Sequence, residues 1–422
     1  MKLNYTRTFC IGLAFMGITA FWQVYDTIIP LILKNTFAME ETLTGVIMAM
    51  DNILAVLLLP VFGAWSDRID TPIGKRMPFI IIGTICSAVL MLLIPYANGH
   101  HNFPMFLICL GAVLLSMGFY RSPAIALMPD LTPPPLRSQG NAIVNVMGAV
   151  GAMYSLVMIR ILVTDELHPD YMPLFISVSA ILFISLILLL LTIREKKLSA
   201  QIRAEYGSFE TEVTTDAEGH LAPEVKKSLT FALLALVCYY MAFNGVTTAF
   251  SRYAQEVWGL IGGEFATALM LVAITAFVCY IPFGILAGIF GSKKVIMAGF
   301  IVMTVSFLVV TSFDEYHPIA NVLLVLGSAG GSAVGVNMFP VIIDMCSEKE
   351  VGRYTGLYYT FSMSAQIATP ICSGFLMQHI SYLTLFPYAA FFSLLGFVFM
   401  IFVHHGNIKP QKKQSILEYM DN

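Results

Sequence analysis

Twelve apolar runs, each about long enough to cross a bilayer, divide this chain. They are Phe9–Leu33, Thr42–Trp65, Met77–Tyr96, Pro104–Met128, Asn141–Val163, Met172–Ile193, Leu229–Phe250, Glu264–Phe290, Lys294–Phe313, Pro318–Met345, Thr355–Met377 and Leu383–His404. A hydrocarbon layer of roughly 30 Å needs about 20 apolar residues per helix. Barrel strands are excluded, because these runs are twice a strand's length and do not alternate. Only 12% of residues are charged and 58% are hydrophobic, with a mean hydropathy of +0.79. Soluble chains carry about 25% charged residues. Lipid is therefore the solvent for most of this surface, and the expected fold is an all-α membrane protein with twelve transmembrane helices. The first run lacks a small-residue cleavage site and reads as a retained helix.

Basic residues set the expected orientation. All but four of the 23 Lys and Arg, the exceptions being Lys34, Arg121, Arg160 and Arg252, fall on one side when the N-terminus is placed inside. The positive-inside rule then puts both termini in the cytoplasm, and the expected location is a plasma (inner) membrane. The charged stretch 194–228 divides the spans six and six and reads as a mobile cytoplasmic tether. The expected organisation is a bundle over 1–193, the linker 194–228, a second bundle over 229–404 and a tail over 405–422.

The halves repeat each other. "GAWSDRIDTPIGKRM", from Gly63, has a weaker partner in "GILAGIFGSKKVIM", from Gly284. Lys75 matches Lys293. After spans four and ten, Arg137 matches Arg353 and Gly140 matches Gly356, each 216 residues apart. Two six-helix halves of one orientation are the plan of the major facilitator superfamily. Gly63, Asp67, Arg68, Gly74, Lys75 and Arg76 fill a pattern that resembles that superfamily's signature loop between helices 2 and 3. A loop with paired acids and bases at a helix end suits a cytoplasmic gate, because ion pairs there are worth more than in water. Asp130 and Arg137 are the pair expected to complete it.

"SDRIDTPIGKRMPFIIIG" and "RSPAIALMPDLTPPPLRSQGNAIVNVMG" resemble the sucrose–proton symporters and the wider glycoside–pentoside–hexuronide cation symporter family. The resemblance implies transport of a sugar or glycoside with H⁺ or Na⁺. The sodium-coupled members carry two carboxylates four residues apart on helix 2; here those places align with Ala55 and Leu59. Na⁺ coupling is therefore not expected, and H⁺ is. Plant-type sucrose carriers place a helix 4 Arg where Ile125 aligns, and Arg121 lies one turn earlier.

A charge in hydrocarbon costs about 2.5–3.5 kcal/mol even on the mildest scale. Asp26, Asp51 and Arg121 incur that cost away from any helix end. Asp26 and Asp51 lie at matching depth, about 11–12 Å from one surface at 1.5 Å per residue. Two carboxylates in a low-dielectric cavity cannot easily both ionise, which suits proton coupling. The plainer alternative is a structural pair of acids bonded to Asn52 or Gln23. Arg121 is expected to pair with an acid or with substrate hydroxyls through its planar fork.

Aromatic and amide residues crowd the same depth. Trp22, Gln23, Tyr25, Tyr120 and Arg121 in the first half, and Asn244, Asn337, Tyr358 and Gln366 in the second, are the candidate substrate contacts. Sugar faces stack on rings while hydroxyls take amide and charged partners. "GSAGGSAVG" (Gly327–Gly335) lies in an apolar span and reads as close helix packing, not as a phosphate loop. The seven Cys show no paired spacing. No Ser/His/Asp or metal-ligating set shares a face, so neither an enzyme nor a cofactor is expected. The expected partners are a small-molecule substrate and the bilayer, with no nucleic acid and a monomeric chain. The leading reading is a proton-coupled sugar or glycoside symporter working by alternating access. A same-fold carrier of a lysolipid or drug, and a transport-inactive sensor, are the alternatives.

Overall fold

The computed structural model describes residues 5–132, 137–206, 223–345 and 351–405. Among these the chain is helical, and the sole β feature is one bridge between Thr71 and Gly74. The helices of the first half are α1 (Tyr5–Asn35), α2 (Glu41–Arg68), α3 (Met77–Leu90), α4 (Leu93–Gly99), α5 (Phe103–Asp130), α6 (Arg137–Leu162) and α7 (Met172–Thr192). Then follow α8 (Glu195–Tyr206), α9 (Pro223–Glu256), α10 (Ala266–Phe290), α11 (Ser292–Val310), α12 (Pro318–Ile343), α13 (Val351–His379) and α14 (Leu385–Ile401). Eleven helical stretches among the described residues are long and apolar enough to span a membrane. The expected span Thr355–Met377 lies within α13, a 29-residue helix. Its Ser, Thr, Tyr and Gln residues leave it too polar for that set, although it is long enough.

Local chemistry explains where helices start and break. Asn102 caps α5 by accepting the Met105 amide at 3.1 Å, and Pro stands in the first turn, where no amide hydrogen is needed. The span expected at Met77–Tyr96 breaks into α3 and α4. Pro95 has no N–H for the Met91 carbonyl, so that carbonyl accepts from Ile94 instead at 3.3 Å. The stretch expected to be a mobile tether begins as the helix α8; residues 207–222 lie outside the described set.

The chain divides into two units. One holds Met1–Met39, Met50–Thr211 and Ile261–Thr267; the other holds Glu40–Ala49, Glu212–Leu260 and Ala268–Asn422. The short segments Glu40–Ala49 and Ile261–Thr267 thus pack with a different unit from the one chain order assigns them. Within each unit the helices pack in the same way. In the first, α1 lies against α5, α6 and α7, and α3 against α5 and α7. In the second, α9 lies against α12, α13 and α14, and α11 against α12 and α14.

The repeat extends to single glycines. Gly83 on α3 meets the Tyr120 backbone of α5, and a Cβ there would stand 3.0 Å from the Tyr120 nitrogen. Gly299 on α11 is 216 residues later and meets the Gly330 carbonyl of α12, which a Cβ would approach to 2.6 Å. Small residues at these places let backbones approach, which is how helices gain packing energy in lipid. Hydroxyls add bonds between helices: Thr19 donates to the Gly148 carbonyl at 2.6 Å and Ser155 to the Ala20 carbonyl at 2.7 Å.

Candidate functional site

The first unit gathers its intramembrane charges into one cluster. Asp26 sits nine residues before the end of α1 and Asp51 ten residues after the start of α2. At 1.5 Å per residue both are about 14–15 Å from those helix ends. Arg121 lies nine residues before the end of α5. All three side chains are half-buried and lie within electrostatic range of one another. The Arg121 guanidinium stands over the Trp22 ring, 5.5 Å from its centroid. That distance suits a cation–π contact. Trp22 in turn meets Tyr25 edge to face at 5.4 Å. Asp51 accepts a bond from the Asn52 amide at 2.9 Å.

This arrangement leaves bonding capacity open. The Trp22 indole N–H is buried without a hydrogen-bond partner. Carboxylates, a guanidinium and an indole edge at mid-depth can take a polar solute and hold or release a proton. Trp22, Tyr25, Asp26, Asp51 and Arg121, singled out separately in the sequence, are thus neighbours in space. Gln23 is half-buried on the same turn of α1. Tyr120 is placed differently from the expectation. Its hydroxyl donates to the Ala14 carbonyl of α1 at 2.6 Å and its side chain is 2% exposed. It joins α5 to α1 as packing, because its neighbour Arg121 points to a different face one residue on.

The second unit holds a tyrosine group, and its buried charge near the end of α9, Arg252, pairs with Glu41. The hydroxyls of Tyr240 and Tyr358 are 3.4 Å apart, and Tyr359 meets Tyr358 edge to face. Tyr280 and Tyr359 are within electrostatic range of Tyr358 and are themselves exposed. Tyr239 stacks on Phe243, and Gly335 makes room for it: a Cβ there would stand 2.7 Å from the Tyr239 hydroxyl. Asn244 is half-buried on α9. Gln366 donates to the Ser362 carbonyl of its own helix at 3.3 Å. Asn337, expected to face substrate, is 4% exposed. Its amide donates to the carbonyls of Ala333 at 2.9 Å and Phe283 at 3.3 Å. It therefore ties α12 to α10, since both N–H bonds are committed to backbone.

Among the residues expected to form the gate, Arg76 is the centre of the observed contacts. Arg76 is 6% exposed. Its Nε donates to Asp130 at 2.8 Å, and its two terminal nitrogens bond Asp67 and Ser66. Asp130, expected with Arg137 across from the loop, bonds the loop's own Arg76; the Arg137 side chain lies outside the described residues. The guanidinium fork reaches two acids and a hydroxyl at once, which a single ammonium does not. Arg68 is exposed. These partners of Arg76 lie on α2 and α5, so the network is internal to the first unit.

A residue that sequence reasoning missed completes it. Glu195, at the start of α8, is 3% exposed. Its carboxylate accepts the backbone amides of Lys75, Arg76 and Met77 at 2.8–3.0 Å. It supplies the cap that the start of α3 lacks locally. Gly74, at φ +126°, lets the loop turn there, and a Cβ would collide with Glu195 at 2.2 Å. Glu195→Ala should lower stability by about 2 kcal/mol, the upper range for loss of a cap. A melting temperature equal to that of the wild-type chain in the same detergent would remove Glu195 from this role.

Residues 9–275 and 232–418 match the family model of the Major Facilitator Superfamily. The chain belongs to the major facilitator superfamily. It is a multi-pass integral membrane protein with the fold of a secondary transporter. A human relative, "Proton-associated sugar transporter A", is 28% identical over 140 residues, 30% of this chain and 18% of that protein. "Sucrose transport protein SUC3" of Arabidopsis thaliana is 24% identical over 136 residues, 28% of this chain and 23% of that protein. The chain spans less than a quarter of the length of either. Among solved structures, the inward-open xylose transporter XylE from E. coli superposes with a TM-score of 0.67 at 13% identity. That match covers 99% of this major facilitator and 98% of XylE. At that identity the likeness shows the fold alone.

Proposed function

We propose that this chain is a proton-coupled symporter of a sugar or glycoside, working by alternating access. The observation that carries the reading is the cluster of Asp26, Asp51, Arg121 and Trp22 at mid-depth in one unit. Two acids so placed resist being ionised together, so one is held ready to gain or lose a proton. Arg121 balances the charge that remains, and Trp22 offers a ring face and an open N–H to a polyhydroxylated solute. The partial relatives support the substrate class, since their names are those of sugar and sucrose carriers. The carrier uses H⁺ and no bound cofactor, acts as a monomer and catalyses no covalent chemistry. Its proposed place is the plasma (inner) membrane, and the bias of Lys and Arg supports cytoplasmic termini.

The test is uptake of radiolabelled sucrose and simple glucosides into vesicles carrying the purified chain. Uptake should follow an imposed pH gradient. Uptake driven by Na⁺ and indifferent to pH would overturn the reading. Arg121→Lys separates a site role from a fold role. It keeps the charge but loses the planar fork, so apparent affinity should fall about tenfold or more. Normal transport by an Arg121→Lys variant of normal melting temperature would end the assignment of Arg121.

A further inference from the structure

Three helix ends of the second unit meet at one place: the first turn of α2, the last turns of α13 and the start of α14. A Cβ on Gly374 of α13 would stand 2.4 Å from the Glu41 carbonyl of α2, so the backbones come close there. The Thr42 amide donates to the Gln378 side chain at 3.0 Å, and Gln378 donates to the Glu40 carboxylate at 2.8 Å. Glu40 is exposed, and no cation among the described residues pairs with it. The Thr42 hydroxyl is buried and has no hydrogen-bond partner among the described residues. A buried hydroxyl left without a partner forfeits its bond to water.

Thr42 itself lines an apolar groove of about 640 Å³. Its other walls include Ile371, Cys372 and Phe375 of α13 and Tyr388 and Phe391 of α14. Cys372 lies seven residues before the end of α13, and Phe391 six residues after the start of α14. At 1.5 Å per residue the groove reaches about 9–10 Å in from those ends. Phe375 is 50% exposed and Phe391 60%, which on membrane helices leaves both rings open to hydrocarbon. One end of the groove therefore holds the Thr42 hydroxyl and, one amide side chain away, the Glu40 carboxylate. The remainder is greasy. An amphiphile with an N–H cation in its head and a hydrocarbon tail matches both parts. A bilayer supplies that chemistry as phosphatidylethanolamine, since a primary ammonium carries three donors.

We infer that the groove between the start of α2, α13 and α14 binds phosphatidylethanolamine of the surrounding bilayer. Its ammonium bonds Glu40, an ester oxygen accepts from the Thr42 hydroxyl, and an acyl chain lies over Cys372 between Phe375 and Phe391. Bonds to a charged group are the strong ones, so the head sets the choice of lipid. Phosphatidylcholine carries the cation without an N–H, and the Glu40 charge disfavours anionic heads. The inference does not depend on which solute is carried or on proton coupling.

The test measures binding of dioleoyl phosphatidylethanolamine to the full chain in detergent by native mass spectrometry. Dioleoyl phosphatidylcholine and dioleoyl phosphatidylglycerol vary the head on the same tails, and glycerophosphoethanolamine is the head alone. Phosphatidylethanolamine should bind most tightly. Glu40→Gln should weaken it about tenfold, the loss expected for a charge-assisted contact, and leave phosphatidylcholine unchanged. Thr42→Val, which keeps the shape and removes the hydroxyl, should weaken it about fivefold. Cys372→Phe fills the groove and leaves the head contacts, and it should weaken all three lipids alike. Glu40 and Cys372 are exposed, and the amide oxygen in Glu40→Gln can still accept from Gln378, so neither change threatens the fold. Equal binding of the three lipids, tighter binding of phosphatidylglycerol, or unchanged phosphatidylethanolamine binding in any of the three variants overturns the inference. Displacement of the lipid by glycerophosphoethanolamine at equal concentration overturns it too, since the tail would then contribute nothing.

Discussion

Vesicles carrying Asp51→Asn or Asp26→Asn should lose accumulation of substrate while keeping exchange. A pH difference of one unit is worth about 1.4 kcal/mol per proton, or about tenfold accumulation with one proton per solute. Removing the titrating group removes that drive, so the accumulation ratio should fall to about one. Counterflow needs only loaded carriers to cross, and it should survive. The geometry favours a clean result. The amide that Asp51→Asn introduces can still accept the Asn52 bond that the carboxylate accepts now, and neither Asp26 nor Asp51 is fully buried. The measurement is steady-state uptake at fixed gradient beside counterflow at zero gradient. An Asp51→Asn or Asp26→Asn variant that still accumulates about tenfold would take that residue out of coupling. Loss of both accumulation and counterflow, with normal folding, would place it in substrate binding instead.

Arg252→Met should destabilise the chain by about 3–5 kcal/mol, the cost of stranding one member of a buried ion pair. Arg252 is wholly buried and pairs with Glu41, which is 5% exposed and also bonded by the Tyr382 hydroxyl. Both residues belong to the second unit, because the first turns of α2 pack there. Gln378 adds to the same junction by accepting the Thr42 amide at 3.0 Å and donating to Glu40 at 2.8 Å. With Arg252 removed, the Glu41 charge loses this cation and gains little water. Glu41→Gln should cost a similar amount by stranding Arg252. The double variant Glu41→Gln/Arg252→Met should recover much of the loss, since neither charge then needs a partner. Chemical or thermal unfolding of the full chain in detergent reads all three. Additive losses in the double variant would show that the pair is not coupled.

Much of this molecule is written in short-range pattern. Run length and polarity marked eleven membrane helices that the structure contains, and the depths of Asp26 and Asp51 follow from counting along two helices. The repeat at an offset of 216 marked Gly140 and Gly356 in the sequence, and in the structure the same offset links Gly83 and Gly299, each against a neighbouring backbone. These features are local because a helix fixes rise and periodicity residue by residue, and lipid demands the same apolar length of each span. Even the break between α3 and α4 was available in Pro95, whose missing N–H is a property of one residue.

Other features depended on which helices meet. Glu195 caps α3 from about 120 residues away, and Arg76 reaches Asp130 across 54. Arg252 meets Glu41 across 211 residues. Charge counting along the chain set Asp130 and Arg137 together across from the Gly63–Arg76 loop but named none of these partners. Tyr120 and Asn337 have the chemistry of substrate contacts, yet each is spent on a neighbouring backbone carbonyl. A polar side chain inside a membrane bundle must find a partner, and helix periodicity says how deep it lies but not which helix stands opposite. The sequence alone therefore determined the spans, the repeat and the depth of the charges. Only the tertiary packing decided which polar groups were consumed by the fold and which, like the Trp22 indole N–H, were left without a hydrogen-bond partner.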